Sequence, residues 1–242
     1  MNSDSLIWWD WVGRHGHDIW VATLEHLQLT LIAVGVGLLL SILLAAISLR
    51  WRSTYWFIAG TAGVLYTIPS LALFAFLVTW TGFTTLTAEI GLVSYTLLIL
   101  LRNIVEGLDG VPPDVKEAAE AMGYRPTPRF FAVDLRLATP AIMTGLRIAT
   151  VTTIGLVTVT GLIGQGGYGS FIDAGLKRNF STEVMVGAGL SVVMAIILDG
   201  ILVAIGWALT PWLRAGKTSR RDRTSRPALP EPEPADLVGQ VG

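Results

Sequence analysis

Three small constellations in this sequence combine residue types and spacings that could do chemistry. Gly164-Gln165-Gly166-Gly167-Tyr168-Gly169 has the G-x-G-x-x-G spacing of loops whose backbone N–H groups cradle phosphates. His15 and His17 flank one glycine, a pair of possible metal ligands. Asp199 stands inside the apolar run VVMAIILDGILVAIG, where an ionisable group is a functional hypothesis by default. Each has a plainer reading. A dinucleotide fingerprint needs a strand before it, a helix after it and an acid about 20 residues further on. This hexapeptide instead follows a long apolar run, so Gly164, Gly166, Gly167 and Gly169 are read as a flexible outer turn. Two histidines fall short of the three or four ligands a metal site generally needs. Asp199 is either a pathway group or a hydrogen-bonded packing residue beside Gly200. No cysteine is present, which excludes disulfides and thiolate chemistry, and no G-x-x-x-x-G-K-[ST] occurs. No catalytic, cofactor-binding or metal-binding residue is assigned.

The elements that must position these residues are apolar. The chain has 242 residues, 52% hydrophobic and 14% charged, against about 25% charged in soluble domains. Its mean hydropathy is +0.60. Cutting the apolar runs at charges, prolines and glycine clusters predicts five spans, roughly 21–49, 54–80, 88–108, 139–163 and 184–210. The second holds Pro69, a candidate kink; the third ends near Arg102 and Asn103. The fourth carries Thr144, Thr150, Thr152, Thr153, Thr158 and Thr160, hydroxyls that either line a polar passage or bond to their own helix carbonyls. His26, with Glu25, is placed at the outer lip of the first span as an anchor. Fourteen Lys and Arg, Arg147 among them, collect on one side and three on the other, which predicts an outside N-terminus and a cytoplasmic C-terminus. Trp8, Trp9, Trp11, Trp20 and Trp80 are placed at outer edges and Trp51, Trp56, Trp207 and Trp212 at inner edges, as an aromatic belt. The N-terminus lacks the basic n-region of a cleavable signal and is expected to be retained.

Residues 1–20 are thus expected as an extracytoplasmic segment, 21–213 as a membrane domain with a cytoplasmic loop at 109–138, and 214–242 as a disordered tail. The tail's basic part either fixes topology or meets anionic lipid. In the loop, VPPDVKEAAEAMGYRPTPRFFAVDLRLATP, Asp114 and Glu117 resemble a capping box, Gly123 ends a short helix before Pro126, and Thr127-Pro128 starts an amphipathic segment with Phe130, Phe131, Val133 and Leu135. Ala118, Ala119 and Ala121 let another surface approach closely, while Met122 and Tyr124 offer apolar contacts. A pair of surface helices joining two spans is the alternative.

Glu117-Ala118-Ala119, Gly123 four residues on and Val133-x-Leu135 resemble the "EAA" signature of permease subunits of ATP-binding-cassette importers. IPSLALFAFL, LLRNIVEGLDGVPPDVKEAAEAMGY, TPAIMTGLRIATV and GLIGQGGYGSFIDAGL are similar to permeases for glycine betaine, choline and carnitine. The pattern departs at Arg136, where the family usually has proline. The resemblance implies an all-α polytopic chain of five transmembrane helices with the type I importer, methionine-permease-like fold, in the cell membrane. It makes Glu117, Ala118, Ala119 and Gly123 coupling residues, with Ala121, Met122 and Tyr124 beside them. The implied partners are cytoplasmic ATPase subunits carrying ATP and Mg, a second permease chain (identical or homologous), an extracytoplasmic solute-binding protein that docks near the outer glycine turn, and membrane lipid. No nucleic-acid partner is expected. Import of another solute such as methionine, a gradient-driven transporter and a non-transporting scaffold are the alternatives.

Overall fold

The computed structural model describes residues 7–212. The expectations for the tail from residue 214 on lie outside the described residues. Helix α1 (Trp9–Arg14) is followed by α2 (Gly16–Arg50), 35 residues with no proline to interrupt them. Next come α3 (Arg52–Thr67) and α4 (Ser70–Thr81), which meet at 98°. The expected second span, 54–80, is therefore broken at its candidate kink, Pro69. Pro69 offers no N–H and holds Ile68 extended, at φ −67° and ψ 127°. The bend is fixed from α5 (Thr85–Asp109), where the Tyr95 hydroxyl donates to the Ile68 carbonyl. Phe74 of α4 is fully buried in the space a side chain at Gly91 would take.

α5 starts at Thr84, whose hydroxyl accepts from the Thr87 N–H. It is the central helix, packed by α2, α3, α4 and α8, with Leu92, Leu100 and Leu101 fully buried. α6 (Pro113–Ala121) and α7 (Pro126–Arg129) follow. α7 continues through a π turn, Phe130–Asp134, into α8 (Leu135–Thr160) and a 3₁₀ turn, Gly161–Ile163. The expected start at Thr127-Pro128 is two residues too late, because Arg125 is the N-cap and Pro126 the first residue. The expected fourth span, 139–163, is the upper part of one 38-residue helical rod, Pro126–Ile163. α9 (Tyr168–Arg178) and α10 (Ser181–Leu209) complete this unit.

Among the described residues four helices are long and apolar enough to cross a membrane, giving five crossings if the bent pair counts as one. Their contacts use small residues: Gly37 lies against Thr96, and Gly107 against Ala138 and Ala141. Among the described residues three buried clusters result. Leu29, Ala33, Phe74, Leu92 and Val157 form one, Ala45, Leu101, Ile104, Leu108 and Ala138 a second, and Ala22, Ile154, Tyr168 and Met194 a third. Trp9, Trp20, Trp51, Trp56, Trp80 and Trp207 are exposed, as a belt requires. Trp11 is not; it is buried, stacked on His15 and edge-on to Phe171 and Phe180.

Candidate functional site

At one end of the bundle Arg52, opening α3, clamps Asp109, closing α5, through bonds of 2.5 and 2.8 Å. α6 emerges beside this clamp. Its cap is Pro112 with no side-chain hydrogen bond, and Asp114 lies in the first turn, so the Asp114–Glu117 capping box does not form. The other terminus ends as the glycine requires. Gly123 has φ +87°, its N–H reaches the Glu120 carbonyl at 2.9 Å, and the Tyr124 N–H reaches the Ala119 carbonyl at 3.1 Å, a Schellman motif.

Ala119 is buried against its own chain and does not offer itself to a partner. Glu117, Ala118, Ala121, Met122, Gly123 and Tyr124 are exposed, Met122 at 72%. A short helix thus presents an apolar tip to the outside. Arg129 ties that helix to the rod: it pairs with Glu120 of α6 and lies 3.5 Å from buried Asp134. The five-residue spacing of Arg129 and Asp134 is one π turn, which brings them onto the same face. The tip and the root of the long helix are therefore mechanically joined.

The opposite end carries the glycine hexapeptide, and it is a docked loop, not a free turn. Gly164, Gly166 and Gly167 take φ of +73°, +69° and +66°. Glu25 accepts from the Gly167 N–H at 2.9 Å, and His26 Nδ1 accepts from the Tyr168 N–H at 3.3 Å. His26 Nε2 must then carry the proton and donate to the Ile154 carbonyl at 3.1 Å. Glu25 and His26 thus satisfy the first N–H groups of α9, a place where an acid suits the helix dipole. Gly169 fits because the Thr158 carbonyl occupies the place of a side chain. His15 bonds to the Trp11 carbonyl, and His17 is exposed beside Asp18. Among the described residues no group of three or more possible metal ligands exists.

Within the bundle the pathway candidates separate. The hydroxyls of Thr144, Thr150, Thr153, Thr158 and Thr160 donate to carbonyls of their own helix. Thr153 is buried and Thr152 half-buried. Asn103 donates to the Ile99 carbonyl and fills the space above Gly145, so it packs α5 against α8. Pro69 makes the break, but the carbonyl beside it is taken by Tyr95. Asp199 is not alone: Arg147 donates to it twice, from Nε at 2.7 Å and Nη2 at 2.9 Å. Arg147 belongs to the middle of α8 and leaves the loop count on which orientation rests.

Sequence reasoning missed Arg147, Arg129 and the loop-holding role of Glu25. The signal for Arg147 was its place in TGLRIATV, eleven residues past Arg136 inside an apolar stretch. It also passed over Glu89, whose two carboxylate oxygens are enclosed with no hydrogen-bond partner among the described residues.

Residues 37–212 match the family of binding-protein-dependent transport system inner membrane components. The choline transport system permease protein OpuBB of Bacillus subtilis (strain 168) is 33% identical over 198 residues, 81% of this chain and 91% of that protein. The glycine betaine/carnitine/choline permease OpuCB of the same organism is 32% identical over the same shares. The osmoprotectant import permease OsmW of Salmonella typhimurium is 31% identical over 194 residues, 78% of this chain and 90% of that protein. Among solved structures, a chain of the inward-facing MetNI methionine ABC transporter superposes with a TM-score of 0.65 at 19% identity, covering 80% of this chain and 95% of that one.

Proposed function

The chain belongs to the family of binding-protein-dependent transport system inner membrane components, a multi-pass membrane permease of the ABC importer class, and from that premise we propose that its cargo is a quaternary ammonium osmoprotectant. Glycine betaine, choline and carnitine are the solutes meant. The observation that carries this is the identity of 31–33% to osmoprotectant permeases over about four-fifths of the chain. Likeness to the methionine transporter, at 19% identity, supports the fold and not the cargo.

In this reading the exposed α6 tip, from Glu117 to Tyr124, seats on a cytoplasmic ATPase that binds ATP and Mg. Closure of the ATPase pushes α6, and Arg129 passes the movement to the root of the 38-residue helix. A second permease chain completes the pathway. An extracytoplasmic binding protein delivers solute at the end that carries the Glu25-held loop. The N-terminus lies outside and the C-terminus in the cytoplasm, with the bent α3–α4 pair as one crossing. Thirteen basic residues against three still support this once Arg147 is removed from the count.

The test is uptake of labelled glycine betaine at high osmolarity in cells lacking this chain, complemented with wild type or Gly123→Asp, with choline and methionine as competitors. Uptake restored by wild type alone, and competed by choline but not methionine, supports the reading. Equal uptake with both proteins overturns the coupling role, and competition by methionine alone overturns the cargo.

A further inference from the structure

The pair Arg147–Asp199 sits where charges are disfavoured and is nevertheless open. Asp199 is ten residues before the end of α10 at Leu209, about 15 Å along the helix, and Arg147 is thirteen before the end of α8 at Thr160, about 20 Å. Both ends of the pair are therefore deep within spanning helices. Yet the Arg147 side chain is 40% exposed and that of Asp199 31%. A guanidinium has five N–H donors, and Asp199 takes two of them, one on Nε and one on Nη2. Among the described residues the Nη1 amino group and the second Nη2 hydrogen have no acceptor. Partly exposed charges at this depth face a bundle interior, a water-filled cavity or a polar ligand, because hydrocarbon cannot satisfy them. On the neighbouring turn of α8 the exposed Thr144 continues the same polar edge.

We propose that Arg147 and Asp199 form an intramembrane way-station for zwitterionic solutes. This rests on the importer reading above and adds a site and a chemical preference to it. The solute carboxylate takes the open Arg147 donors, and its cationic nitrogen lies against Asp199. A quaternary nitrogen has no N–H, so its attraction to Asp199 is Coulombic and needs no fixed direction. A zwitterion reproduces for each partner the charge that partner already holds, so the pair parts without leaving an uncompensated charge in the span. A cation without a carboxylate uses Asp199 alone.

The test uses the assembled transporter in cells, comparing uptake of glycine betaine, carnitine and choline by wild type, Arg147→Gln and the neutral pair Arg147→Gln/Asp199→Asn. Arg147→Gln is expected to lower glycine betaine and carnitine uptake about tenfold relative to choline, the effect of losing one charge-assisted contact. The neutral pair retains a side-chain hydrogen bond between the helices. It is expected to reach the membrane in wild-type amounts, with its ATPase bound, and to lose choline uptake as well. An unchanged ratio among the three solutes in Arg147→Gln overturns the site. So does a fall of all three together with loss of assembled complex, which makes the pair a structural tie. A wild-type complex that takes up none of the three overturns the cargo reading and the site with it.

Discussion

Replacing Gly123 by residues of graded tolerance for positive φ separates the conformation of the α6 tip from its chemistry. A Cβ added at Gly123 has no atom within 4 Å, so any penalty is conformational, arising from φ +87°. For alanine that penalty is about 1–2 kcal/mol. It falls on a helix of nine residues, too short to hold its last turn by its own propensity. The population with Met122 and Tyr124 correctly presented then drops by roughly five- to thirtyfold. Asparagine, which visits the left-handed region more readily, costs less. Uptake in proteoliposomes should therefore rank Gly123 above Asn and Asn above Ala, while ATP hydrolysis falls less than uptake because the ATPase is intact. An alanine variant as active as wild type, or an asparagine variant worse than alanine, refutes the argument.

The joint between α6 and the long helix is tested by Arg129→Ala. It strands buried Asp134 and should lower stability by about 1.5–3 kcal/mol, read from thermal unfolding in detergent, and depress uptake more than Arg129→Lys does. Tyr95→Phe leaves the Ile68 carbonyl at the helix break without its donor and should cost about 1–3 kcal/mol by the same measurement; an unchanged melting temperature refutes the fixing of the bend. At the other end, Glu25→Ala removes the acceptor for the Gly167 N–H, so hydrogen exchange of residues 164–169 should quicken by at least about tenfold, whereas equal exchange means the loop holds itself. Gly91→Leu collides with the Phe74 ring and should destabilise by about 1–3 kcal/mol, with partial rescue by Phe74→Ala.

Long apolar runs made α2, α5 and α10 legible, since twenty-odd hydrocarbon residues have little choice but to be helical in a membrane. Pro69 announced a disturbance, but its size depends on Tyr95 and Gly91, twenty or more residues away, and no local pattern reports it. The same holds for the glycine hexapeptide. Its left-handed backbone is readable from composition, while its docking depends on Glu25 and His26, more than 130 residues upstream. In α6 the C-terminus was legible because the φ of +87° at Gly123 favours glycine. The N-terminus was misread because prolines at 112 and 113 already satisfy it without a side-chain cap. Arg147 was counted with the loops because arginine is a topology signal almost everywhere else. Only its partner on another helix reveals it as part of the interior.

A geometric argument links the three places where polar groups gather. The rod from Pro126 to Ile163 is about 57 Å long. Arg129 and Asp134 grip α6 at its root, Arg147 meets Asp199 along its middle, and its far end bears Ile154, whose carbonyl receives His26, and Gly161, packed on Gly169. A helix is stiff along its axis, so a shift imposed at the root reaches both other places together unless something yields. The element disposed to yield is the π turn, whose widened ladder accommodates rotation that an α-helix resists. Pro140 adds a second weak point six residues above it, because it cannot donate to the ladder. Both lie below Arg147, between the tip and the ion pair. A tilt entering at α6 is therefore absorbed as bending at residues 130–140, and the segment from Arg147 upward moves as one piece against α10. Sliding of α8 past α10 is what the Arg147–Asp199 pair resists and what its parting permits. Replacing Pro140 by alanine should then stiffen this hinge and lower the ratio of solute moved to ATP hydrolysed; an unchanged or raised ratio means that the rod acts as a rigid lever without bending at residues 130–140.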